Sequence, residues 1–150
     1  MTSPYEPAEA HDSGVLDVGG GHHIYWEAAG NPDGKPAVLV HGGPGGGLVA
    51  RHRRHFDPDR YLLISFDQRQ CGRSTPFAGD AVVDLSANTT SYLIADIEAL
   101  RAHLGIDAWL VWGGSWGTTL GLAYAQTHPG SVTELLLGSV VTTSRGEVDW

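Results

Sequence analysis

Four stretches of the chain are apolar at successive positions rather than at alternate ones: Ala37–Val40, Tyr61–Phe66, Ala108–Trp112 and Leu135–Leu137. Strands covered on both faces, as in parallel sheets, have this pattern. Between the second and third runs, Leu93, Ile97, Leu100 and Leu104 recur at three- and four-residue spacing. That spacing predicts a helix from Thr90 to Leu104, stopped by Gly105. A second helix is expected from Trp116 to Thr127, closed by His128-Pro129-Gly130. A short one, with a thin apolar face, is expected over Leu48–Phe56. Upstream, two short strands, Gly14–Val18 and His23–Glu27, flank a hairpin turn at Gly19–Gly21, and Asn31-Pro32-Asp33-Gly34 marks a further turn. Residues 1–13 are polar and expected to be flexible, which leaves 14–150 as the folded unit. Strands alternating with helices predict an α/β fold with a mostly parallel sheet, right-handed crossovers and an N-terminal antiparallel hairpin.

Composition narrows the partners. A chain of 150 residues suits one domain, and 41% hydrophobic with 17% charged residues is a globular mix. Seventeen acidic residues against 9 Lys and Arg give a net charge of −8, which opposes a phosphate backbone, and the basic cluster Arg51–Arg54 is too short to reverse that. No nucleic-acid partner is expected. Cys71 is the single cysteine, so no internal disulfide forms and a reducing, cytoplasmic setting is expected. Met1–Ala10 lacks the basic start and apolar stretch of a secretory signal, and no apolar run reaches membrane-spanning length, so no membrane partner is expected. The residues carry no signal for an oligomeric state.

The chemistry concentrates at turns. Gly113-Gly114-Ser115-Trp116-Gly117 matches G-x-S-x-G, with an expected buried strand before it and a helix after it. A Gly-Ser-Gly cluster alone is simply a turn. In this context the chain reverses sharply from strand to helix and projects the Ser115 hydroxyl over the sheet edge. Glycine at 113 and 117 removes side chains that would meet neighbouring backbone. Acyl transfer at a serine also needs two N–H donors aimed at the developing oxyanion. Trp116, the residue after the nucleophile, supplies one. The glycine-rich loop His41-Gly42-Gly43-Pro44-Gly45-Gly46-Gly47 follows the first buried strand and supplies the other, at Gly43. His41 is expected to support the loop and not to act as base. This is the pattern of an α/β-hydrolase with Ser115 as nucleophile and without cofactor or metal.

Other patterns compete less well. Gly45-x-Gly47-x-x-Ala50, with Asp67 about twenty residues on, fits the loose dinucleotide fingerprint. Its glycines, however, begin too far past the strand end, and the helix after them is weak. His52 and His55 share helical spacing, but no further ligand joins them, and a polar helix face is expected. His22-His23 carries no assignment.

Three blocks together closely resemble the proline iminopeptidases. They are His41–Gly47, Asp67-Gln68-Arg69-Gln70-Cys71-Gly72-Arg73-Ser74, and Gly113-Gly114-Ser115-Trp116-Gly117-Thr118-Thr119-Leu120, in the family's order and at suitable separations. The resemblance spans about Ile24 to Leu137. It implies a metal-independent serine exopeptidase that removes N-terminal proline from small peptides. Ser115 would be the nucleophile, with Gly43 and Trp116 forming the oxyanion hole. One position departs: Gln70 stands where the family pattern has glycine. A positive φ there would cost on the order of 1 kcal/mol. Asp67 and Arg73 are expected to brace this loop through charge-assisted hydrogen bonds. Cys71 has two readings, a thiol near the site or a small buried filler.

The triad order in this fold is Ser, then Asp or Glu, then His. His128 is the one histidine after Ser115, and it lies about 18 Å away along a helix at 1.5 Å per residue, too far to be the base. Asp149 lies in a tail with no later strand to place it. The sequence is therefore expected to be truncated before the helical cap and the last strands, to be inactive by itself, and to leave apolar surface near Leu135–Leu137 uncovered. By the resemblance, the cap would carry the groups that recognise the substrate's free amino end. Two alternatives stand beside this reading: an α/β-hydrolase with another substrate (an esterase or a different aminopeptidase), and a half-fold kept as a non-catalytic binding module.

Overall fold

The computed structural model describes residues 5–80, 82–141 and 144–148. Six strands form one sheet: β1 (Ala10–Gly19), β2 (His22–Gly30), β3 (Lys35–Val40), β4 (Tyr61–Phe66), β5 (Trp109–Gly114) and β6 (Val132–Gly138). Their order across the sheet is β1-β2-β4-β3-β5-β6. β1 and β2 form the expected antiparallel hairpin, and β2 runs antiparallel to β4. The pairs β3–β4, β3–β5 and β5–β6 are parallel. The four apolar runs thus fall on the parallel strands β3, β4, β5 and β6, but only the first three are buried: β6, at the sheet edge, has no fully buried residue, against the expectation of a strand covered on both faces.

Two helices, α1 (Thr90–His103) and α2 (Trp116–Thr127), cover one face. There Leu93, Ile97 and Leu100 of α1 and Leu120 and Tyr124 of α2 pack against Val38, Val40, Ile64, Phe66, Trp109 and Val111. Leu104 is only partly buried. The inward turn of α1 carries Asp96 as well, buried in a bidentate pair with Arg69 (2.6 and 2.9 Å). The opposite face holds a smaller cluster of Ala37, Leu39, Leu63 and Leu110 beneath Phe56.

Two segments depart furthest from expectation. β1 starts at Ala10, inside the segment expected to be flexible, because exposed Ala10, Asp12 and Ser13 pair through their backbone with Ala29, Ala28 and Glu27. The segment expected as a short α-helix is a 3-10 turn, Ala50–His55. With a thin apolar face it gains little by burying a full helix. Leu136 of β6 is 50% exposed, as the expectation of uncovered apolar surface requires. Among the described residues no helix is long and apolar enough to cross a membrane.

One polar cluster ties the helices together. Glu98 of α1 accepts from Arg101, from the Tyr124 hydroxyl on α2 (2.7 Å) and from Ser131 (3.3 Å). Arg101 and then Tyr124 hold its carboxyl at about 2, below the ordinary 4.5, against the opposing effect of burial. A depressed carboxyl stabilises the fold above pH 4.5, and the contribution fades as pH falls toward 2. Glu98→Gln is expected to cost about 2 kcal/mol at pH 7, discounted for partial exposure, and little near pH 2. Denaturant unfolding of the protein as encoded, with and without the substitution across this range, checks it.

Candidate active site

A single residue separates β5 from α2. Ser115 has φ 54 and ψ −123, a region that L residues enter only under constraint, at about 1–3 kcal/mol. The constraint is visible. Its N–H donates to Gly138 O (3.1 Å), and its carbonyl accepts from both the N–H and the hydroxyl of Thr118 (2.8 and 2.7 Å). Space is equally tight: a methyl group on Gly113 would lie 2.2 Å from Gly117 O, and one on Gly117 would lie 2.1 Å from Val40 O. Ser115 is exposed and its side chain makes no capping bond to its own helix, so among the described residues its hydroxyl has no hydrogen-bond partner at the rim.

The glycine-rich loop is on the same rim. A methyl group on Gly42 would come 3.2 Å from Ser115 Cβ and 3.8 Å from its Oγ. Gly43 has φ 132, and a methyl there would meet Gly46 N at 2.6 Å. Neither the Gly43 nor the Trp116 N–H enters the turn and loop hydrogen bonds among the described residues. The N–H of Trp116, in the first turn of α2, is one of a helix's intrinsically unpartnered donors.

His41 is buried beneath this loop. Its Nδ1 lies 2.8 Å from Gly42 O, and its Nε2 accepts from Gln68 N–H at 3.0 Å, an arrangement that fits the neutral ring. Burial also holds its pKa below the ordinary histidine value. Both nitrogens are engaged in holding backbone, in line with a supporting role. Gln68 completes the frame: its amide donates to His41 O (2.8 Å) and its carbonyl accepts from Trp116 Nε1 (3.2 Å). It links the residue after Ser115 to the loop beside Ser115. Sequence reasoning gave Gln68 no role, and its place in the Asp67–Ser74 block was the one available signal.

Asp67 braces that block. Its carboxylate accepts from Leu48 N–H, Arg73 N–H (2.9 Å) and Arg73 Nε (3.3 Å). Those bonds occupy the acid that a dinucleotide site would need for ribose, and a 3-10 turn replaces the helix such a site would open on. Arg73 also lies 3.7 Å over the Tyr25 ring and pairs with Glu27 (2.8 Å). Arg53, at the heart of the short basic cluster, is buried against the same Glu27 and so is not offered to a phosphate. Cys71 is buried, its Sγ 3.4 Å from Arg69 O, and burial pushes the thiol up. That environment favours the buried-filler reading, since the thiolate is the reactive form.

His52 and His55 are more than a plain polar face. His55 is exposed, as a polar face requires, yet its ring stacks on Trp112 with centroids 5.3 Å apart, and half-buried His52 lies tilted against the same ring at 5.0 Å. They line a cleft of about 430 Å³ together with Gly42, Ser115 and Ser139. In a 3-10 turn, side chains three apart eclipse one another, and this turn lies across the sheet face that carries Trp112. Burial lowers the pKa of His52. Among the described residues no imidazole is hydrogen-bonded to the Ser115 hydroxyl, and no three His, Cys, Asp or Glu side chains gather as a metal site. His128 packs on Tyr124 (5.3 Å) at the far end of α2. Asp149 lies outside the described residues.

Comparison with known proteins agrees with this geometry. Residues 35–144 match the model of the α/β hydrolase fold family. A probable proline iminopeptidase of Streptomyces coelicolor is 58% identical over 146 residues, 97% of this chain and 45% of that protein. The chain thus spans about half the length of the curated relatives it matches. Among solved structures, a proline iminopeptidase-related protein from Thermus thermophilus superposes with a TM-score of 0.71 at 26% identity, over 84% of this chain and 43% of that one. A proline iminopeptidase from Mycobacterium smegmatis gives 0.68 at 26% identity, over 83% and 42%. With a strained serine between strand and helix, a glycine loop beside it and a family match across most of its length, the chain belongs to the α/β hydrolase fold family.

Proposed function

We propose that the protein as encoded is a serine exopeptidase that releases N-terminal proline from small peptides. The observation that carries this reading is the free, exposed hydroxyl of Ser115 at its constrained bend, next to Gly42. Ser115 Oγ attacks the carbonyl carbon of the proline while a base takes its proton. The oxyanion is held by the N–H groups of Gly43 and Trp116. Collapse breaks the bond to the next residue, whose nitrogen leaves with the proton, and water then hydrolyses the prolyl ester on Ser115. In this fold the acid and the histidine that act with the serine follow it in the chain order, and that histidine is the base. No metal or cofactor takes part. A cytoplasmic setting fits the lone, buried Cys71.

The similarity to proline iminopeptidases supports the substrate. The test compares proline arylamide with other aminoacyl arylamides and simple acyl esters, using the protein as encoded. Proline arylamide is expected to be preferred by at least about tenfold in kcat/KM, the mark of a pocket that discriminates by more than about 1.4 kcal/mol. A preference for acyl esters would make the protein an esterase of the same fold. No turnover of any of them, with no labelling of Ser115 by a fluorophosphonate, would support a binding module.

A further inference from the structure

Gln70, the position at which the Asp67–Ser74 block departs from the glycine of the family pattern, is held in the left-handed region with φ 63. Glycine enters that region freely and glutamine does not. The side chain that makes the backbone awkward is almost fully buried, at 1% exposure. Its Nε2 donates to the Asp84 carbonyl at 2.8 Å, while its own backbone carbonyl accepts from Ala78 N–H at 3.0 Å. Gln70 therefore holds the stretch leading to α1 at two points. Elsewhere that stretch is loosely packed: Val82 is 97% exposed and Leu85 53%. The Asp84 carboxylate is spent locally, on the N–H and hydroxyl of Ser86.

The tie has a consequence for the rim. A small cavity of about 200 Å³ lies between the two segments that Gln70 joins. Arg69 and Cys71 line it together with Asn88 and Thr90, and Pro44 and Trp116, the residue that follows Ser115, complete the lining. It is smaller than the 300–1,000 Å³ usual for ligand sites, so it suits one substrate side chain rather than a whole peptide.

We propose that Gln70 is a positioning residue for this cavity. Its side-chain amide anchors Asp84, sets where Asn88 and Thr90 stand, and so fixes the width of a substrate subsite beside Trp116. The proposal rests on the reading of Ser115 as nucleophile and Trp116 as oxyanion donor. The backbone strain is the counterpart of a hydrogen bond that glycine cannot make.

Gln70→Gly tests it, because glycine accepts the observed φ and adds no backbone strain. Gln70→Glu keeps the reach but presents an acceptor to the Asp84 carbonyl. In the protein as encoded, both variants are expected to raise amide exchange over residues 82–88 by about three- to tenfold, the loss of one buried hydrogen bond. Both are also expected to raise KM for proline arylamide about threefold or more while kcat stays within about twofold. Unchanged exchange in both variants overturns the tie. Faster exchange with an unchanged KM overturns the positioning role. If the unsubstituted protein turns over no proline arylamide, the reading of Ser115 fails instead, and the exchange measurement still judges the tie by itself.

Discussion

Replacing Ser115 with alanine is expected to remove turnover of proline arylamide by about 10⁴-fold or more, since removing a nucleophile leaves only binding and oxyanion stabilisation. The fold should not register the change. The Ser115 side chain is exposed and makes no capping bond, so alanine deletes an atom that holds nothing. Unfolding free energy is expected to stay within about 0.5 kcal/mol of the parent. Glycine at the same position separates strain from chemistry. It accepts φ 54 without a Cβ, so Ser115→Gly should be equally inactive yet more stable by about 1 kcal/mol, the relief of strain less the entropy of a freer unfolded chain. Steady-state rates and denaturant melts of the three proteins check both halves. Residual activity within about tenfold of the parent in Ser115→Ala would place the nucleophile elsewhere. Ser115→Gly no more stable than Ser115→Ala would mean that the bend stores no strain.

The sheet and this bend were legible because each rests on a local pattern. Tyr61–Phe66 and Trp116–Thr127 are bounded as the apolar run and the helix stop predict, and Gly113 and Gly117 flank a serine whose context on both sides is fixed by neighbouring residues. What escaped depends on pairing across the fold. Asp96 sits on an apolar helix face, and nothing in its surroundings reveals that Arg69, 27 positions earlier, meets it in the core. His52 and His55 have the spacing of a polar face until the 3-10 turn is laid against Trp112. Gln68 is an ordinary polar residue in sequence, and it becomes part of the site's frame only when Trp116 and His41 close on it from two other elements. The first four residues of β1 are exposed and three of them, His11, Asp12 and Ser13, are polar, and their strand exists through backbone pairing with β2. Local chemistry specified the Ser115 turn, while the residues that hold its surroundings are set by tertiary contacts.

The dependence of that turn on bare backbone predicts the second large effect. A methyl group at Gly117 would sit 2.1 Å from Val40 O, 3.0 Å from Val40 C and 3.1 Å from His41 O, all of them backbone at the end of β3. No side chain can swing aside, so either the first turn of α2 lifts or the end of β3 shifts. Both carry consequences at the rim, because Ser115 precedes that turn and Gly42 follows that strand end. Gly117→Ala is expected to destabilise the protein as encoded by about 3 kcal/mol, the upper end for overpacking against an unyielding wall. It is also expected to lower kcat/KM for proline arylamide by about 100-fold or more in the molecules that remain folded, since a displacement near 1 Å between nucleophile and oxyanion donors costs that much. Gly130→Ala is the matched control: nothing lies within 4 Å of a methyl group there, and stability is expected to change by less than about 0.5 kcal/mol. The comparison is read by denaturant unfolding together with fluorophosphonate labelling of Ser115 at saturating stability. Normal labelling in Gly117→Ala would mean that α2 and β3 can separate without disturbing the serine, and the close approach at Gly117 would then be a packing detail rather than the support of the site.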